Sequence, residues 1–152
     1  MEFIDYTKGV IGLFDEKWCF DLQNHWKVRF PKNYLELVKI NQGKVVTPNV
    51  FKYKVGSATG ESCLSVLFHF TKHPFKSVMS YSVAENTRKI VDIMGEKVIP
   101  FSEDPGGFSI AFDFRKTAHN PPVIIIDMEA ENFKDMILPV AEDFETFWKG
   151  LY

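Results

Sequence analysis

The chain has 152 residues with 18 Lys and Arg against 20 Asp and Glu, a formal charge of −2 with its histidines neutral. That balance argues against a general nucleic-acid or anionic-membrane binder, which needs a basic excess. Fifteen phenylalanines and three tryptophans supply an aromatic core without any staple, and a single domain of this length buries about 70% of its unfolded surface.

Met1-Glu2-Phe3-Ile4-Asp5 carries acids where a secretory leader needs lysines, and no apolar run reaches membrane length. A cytoplasmic protein without membrane contact is expected. Cys19 and Cys63 show neither C-x-x-C nor zinc spacing and read as reduced, buried hydrophobes. Residues 3–14 are assigned to a helix, against the propensity of Gly9 and Gly12. Cys19, Leu22, Gln23 and Trp26 share one face of a second helix, and Pro31 sits at the first turn of a third. There Tyr34, Leu35, Val38 and Asn41 form the stripe, Gly43 is the stop, and Tyr34 is a core residue with its hydroxyl at the rim.

Phe51, Tyr53 and Val55 alternate with Lys52 and Lys54, which predicts an exposed-edge strand whose lysines discourage sheet-to-sheet pairing. Residues 56–62 read as a glycine-bounded loop without the G-K-[ST] ending that cradles nucleotide phosphates. Residues 64–70 alternate as another strand. Ser82-Val83-Ala84-Glu85 is a capping box opening a helix through Val83, Thr87, Ile90, Val91 and Met94, which Gly95 ends.

The organising stretch is residues 98–115. Phe108, Ile110, Phe112 and Phe114 point one way, and Ser109, Ala111, Asp113 and Arg115 the other. Asp104-Pro105-Gly106-Gly107 predicts a type II turn closing a hairpin with residues 98–103. Pro121-Pro122 then leads into Val123-Ile124-Ile125-Ile126, a strand buried on both faces. Residues 138–140 read as a short edge strand. Asp143 caps a last helix that buries Phe144, Phe147, Trp148 and Leu151. The whole reads as α+β, a single domain over residues 1–152, with a mostly antiparallel sheet of about six strands flanked by three or four helices.

Three segments carry a resemblance. Residues 99–107 with the strand ending Phe112-Asp113-Phe114, the earlier Phe30-Pro31-Lys32-Asn33-Tyr34 with its helix to Gly43, and the closing residues 139–147 resemble the SUKH superfamily, the Smi/Knr-like group. Asn41-Gln42-Gly43 departs from the group's usual N-G-G, and Ser102 stands where alanine is common. Resemblance to the bacterial members implies an immunity protein that binds a cognate polymorphic toxin domain, often a nuclease, and neutralises it by stoichiometric occlusion. Resemblance to the eukaryotic relatives implies a regulatory interaction scaffold instead.

Residue chemistry adds where contact and catalysis would lie. There is no G-x-S-x-G elbow and no Cys with a recognisable His partner. His69 and His73 fall short of zinc's three or four ligands, and Pro74 breaks the helical spacing. No catalytic residue, metal or cofactor is expected. A small-ligand binder or enzyme would have to use Glu103, Asp113 and Asp127 on the sheet, yet Asp104 starts a turn, Asp113 stands beside Arg115, and Asp127 ends a strand. The charge is polarised: residues 127–145 hold seven acids and one lysine, while residues 1–60 hold nine Lys and Arg and six acids. An acidic tract attracts a basic partner. Glu103, Asp104, Asp127, Glu129, Glu131 and Asp135 are therefore the candidate partner-binding residues, and a protein rather than a nucleic acid is the expected partner.

Overall fold

A computed structural model describes all residues, 1–152. The chain runs β1 (Glu2–Ile4), α1 (Glu16–Trp26), α2 (Lys32–Asn41), β2 (Val45–Thr47), β3 (Val50–Val55), β4 (Ala58–Cys63), a 3-10 segment (Lys76–Tyr81), α3 (Val83–Met94), β5 (Val98–Glu103), β6 (Ser109–Asp113), β7 (Val123–Ile126), α4 (Phe133–Met136), β8 (Ile137–Ala141) and α5 (Phe144–Lys149). The α+β class holds. In place of one sheet there are three antiparallel ones: β1-β2, β3-β4, and a four-stranded sheet in the order β5-β6-β7-β8.

The four-stranded sheet is buried on both faces, which is why Val123-Ile124-Ile125-Ile126 needs no polar position. Ile99, Phe101, Ile110, Phe112 and Ile125 face α1, α2 and α5 through Trp26, Tyr34, Val38, Phe144 and Phe147. This side is a stack of rings: Phe101 lies on Phe112 at 4.5 Å between centroids, and Tyr34 meets Phe112 edge-on at 4.9 Å. The other face is aliphatic, with Val98, Ala111, Ile124 and Ile126 under Ile90 and Met94 of α3. Ala111 is thus buried although it points away from Ile110 and Phe112, because α3 covers that side.

Several local expectations give way to tertiary structure. Residues 3–14 form no helix: β1 pairs with β2, and the Asp5 carboxylate accepts from the N–H of Thr7 and of Gly9 in a turn where Gly9 and Gly12 both have positive φ. Most of residues 56–62 is strand, and the turn contracts to Gly56-Ser57. Gly60 opposes Tyr53, whose ring lies where a Cβ would stand. The Tyr34 hydroxyl sits in the core without a partner, not at the rim, and burial pushes its pKa up. Cys19 is buried and its thiol is pushed up to about 12 by desolvation, whereas Cys63 is half-buried.

Residues 64–70 are extended and buried but make no regular ladder. Ser65 N–H donates to Glu103 O, Leu67 N–H to Lys44 O, Phe68 N–H to Phe101 O and His69 N–H to Tyr81 O. His69 is enclosed: Thr71 N–H donates to its Nδ1 and its Nε2 lies 3.0 Å from Val78 O, while burial lowers its pKa. At the start of α3 the Ser82 hydroxyl accepts from Glu85 N–H at 3.2 Å. The reciprocal half of the capping box is absent, because Ser82 N–H donates to Met79 O and Glu85 pairs with Arg88.

Candidate interaction surface

The β5–β6 hairpin forms as predicted, with Glu103 opposite Ser109 and Val98 opposite Asp113. Its turn differs in type. Gly107, not Gly106, has the positive φ (+87°), and Gly107 N–H donates to Asp104 O. This is a type I turn followed by a left-handed residue, the three-residue hairpin loop that matches strand twist. Asp104 holds it together. One carboxylate oxygen accepts from Phe108 N–H at 2.9 Å, and the other accepts from the Ser62 hydroxyl at 3.0 Å.

Strand register carries this turn to the acidic connection. Glu103 pairs with Ser109, Ser109 with Ile126, and Ile126 with Ile137. The β5–β6 turn and the β7–β8 connection therefore leave the same end of the sheet, with Glu103 and Asp127 two strands apart, on the order of 10 Å. Asp113 stands at the opposite end of β6, roughly 13 Å along the strand from Ser109. Burial pushes its pKa up, but two hydrogen bonds from the Arg115 guanidinium, one from Arg115 N–H and the charges of Arg115 and Lys116 together bring it below the ordinary value. Glu103, Asp113 and Asp127 thus share no cleft, and no group of three or more His, Cys, Asp or Glu is arranged to hold a metal.

The candidate acids divide by what already occupies them. Burial raises the pKa of Glu103, Lys89 of α3 opposes the shift, and neighbouring Asp104 adds to it. Asp127 accepts from Glu129 N–H at 3.0 Å and its own N–H donates to Met136 O, which closes the loop after β7. Glu129, Glu131 and Asp135 are exposed and take part in no ion pair, and of the three only Asp135 accepts a side-chain hydrogen bond, from the Asn132 amide at 3.3 Å.

Sequence reasoning missed what lies among them. Met128 and Phe133 on the same connection are 37% and 48% exposed. A groove of about 490 Å³ runs between this connection and the tip of the β3–β4 hairpin, with Val55, Ile137 and Pro139 among its apolar walls and Lys54, Asp127 and Asp135 at its margins. Periodicity favours no burial for Phe133, so the run Glu131-Asn132-Phe133-Lys134-Asp135 held a signal: a lone aromatic in a polar stretch.

The molecule is an α+β domain that carries exposed charge on the loops at the ends of one sheet. Residues 14–150 match the model of the SMI1 / KNR4 family (SUKH-1), and the chain belongs to that family. No curated protein and no solved structure matches it. No helix is long and apolar enough to cross a membrane.

Proposed function

We propose that the chain is an immunity protein that binds a basic toxin domain and neutralises it by stoichiometric occlusion, through the connection between β7 and β8. The observation that carries this reading is the joint exposure of Met128 and Phe133 with the unpaired carboxylates of Glu129, Glu131 and Asp135. Protein interfaces combine an apolar anchor that is desolvated with a charged rim that stays wet. A toxin that acts on nucleic acid needs cationic side chains for phosphates, and an acidic rim competes for that surface. The acids set the encounter rate, and Phe133 sets residence.

The test is coexpression with toxin domains from the gene neighbourhood, followed by binding kinetics with the one that is neutralised. Replacing Glu129, Glu131 and Asp135 together by Ser should slow association, flatten its salt dependence and weaken protection of cells. Phe133→Ala should speed dissociation with little change in association. Full protection by the triple variant with an unaltered salt slope would remove this surface from the mechanism. Recovery of a host protein as the sole partner would favour the regulatory-scaffold reading.

A further inference from the structure

A second surface lies at the other end of the same sheet. The loop from β6 to β7 contributes His119, and the stretch after α1 contributes Lys27, Val28 and Arg29. The two are joined where Arg29 N–H donates to Ala118 O at 2.8 Å and Arg29 bridges His119. Lys27 and Asn120, beside this junction, both hold left-handed backbone conformations with φ of 57° and 51°. The junction separates two grooves of about 330 and 580 Å³ that share Arg29 and His119. The first has no carboxylate in its lining, and its apolar wall is Val28 with Phe20, which is 61% exposed. Glu36 and Glu145 in the second are paired with Lys32 and Lys149. Lys27 and Arg29 have no anionic partner in the chain.

We propose that the Arg29–His119 grooves form a second docking site, for an extended acidic segment of a partner protein that presents a carboxylate beside an apolar side chain. This goes beyond the toxin-binding reading and does not depend on it. Charge complementarity selects the occupant: two unpaired cations with no carboxylate in the first groove attract an anion. The apolar wall selects a peptide over a nucleic acid. A duplex binder typically spreads about 6–10 phosphate contacts over its surface, whereas here two cations flank one exposed ring. The Arg29 guanidinium can grip a carboxylate bidentately, and the exposed Phe20 ring can cover the neighbouring apolar side chain.

The experiment is a titration of the ¹⁵N-labelled chain followed by amide NMR. The probes are a short synthetic peptide alternating aspartate and leucine, its asparagine counterpart, inorganic phosphate, and a single-stranded oligonucleotide. The acidic peptide should shift the amides of Lys27, Val28, Arg29, His119 and Asn120, and the asparagine peptide should not. Lys27→Asn, which keeps a residue tolerant of left-handed backbone, combined with Arg29→Gln should weaken the acidic peptide by about tenfold or more while the spectrum stays dispersed. Equal shifts with phosphate, tighter binding of the oligonucleotide, shifts confined to other surfaces, or no shift would each overturn the assignment. So would concentration-dependent shifts of these amides in the free chain, which would make a second copy the occupant.

Discussion

The β5–β6 turn and the β7–β8 connection leave the same end of the sheet and both carry paired acids, yet they are built for different tasks. In the turn, both oxygens of Asp104 are committed to Phe108 N–H and Ser62, and Glu103 is half-buried within reach of Lys89. In the connection, Glu129, Glu131 and Asp135 are exposed and make no ion pair, while Asp127 alone closes the loop. A carboxylate whose lone pairs already serve the backbone has little left for a partner. Acidity on the surface is thus a poor guide to availability, and hydrogen-bond occupancy is the better one.

The largest expected effect is in the aromatic core of the hairpin, at the end of β6 away from the turn. Phe112→Ala removes a fully buried ring stacked on Phe101 and met by Tyr34, and should cost about 3–5 kcal/mol in denaturant unfolding. Asp104→Ala should cost about 1–2 kcal/mol, since it leaves Phe108 N–H and the Ser62 hydroxyl without their acceptor; no loss would make the turn as dispensable as the connection. Glu103 gives a pH test. Its folded pKa lies above the ordinary value of 4.5 because burial disfavours the charged form. Its contribution is therefore full below that value and is lost as pH rises through the raised one. Glu103→Gln should flatten stability against pH in that window, and an unchanged slope would refute the burial argument. The smallest effect belongs to the connection: the Glu129, Glu131 and Asp135 triple Ser variant should unfold within about 0.5 kcal/mol of the parent. A larger loss would mean that these acids are structural after all.

Much of the fold was legible because side-chain periodicity and burial agree where one face is covered. The hairpin register, the interior β7, α1, α2, α3 and the Asp143 cap of α5 follow from local pattern, and Asp143 accepts from Thr146 N–H at 2.8 Å. Pattern failed where partners are distant. Residues 64–70 alternate in sequence but are almost entirely buried, since their N–H groups are shared among β5, Lys44 and Tyr81 instead of one partner strand. The turn type at Asp104 depended on which of two adjacent glycines takes positive φ, and composition is silent on that. The candidate acids were visible as a charge run, but their division into those tied to backbone N–H groups or half-buried and those exposed required coordinates. Arg29 and His119 lie far apart in the chain and were joined only by the fold.

Residues 64–70 also decide how another protein can approach. They occupy the outer side of β5 through Ser65 N–H and Phe68 N–H, and on the opposite border of the sheet β3 packs alongside β8, whose Pro139 has no N–H to donate. Neither border offers an open row of backbone donors and acceptors, so a partner cannot lengthen this sheet by laying a strand beside it. Recognition is left to side chains on the loops. A sheet closed in this way can keep its backbone unchanged while the loop residues vary.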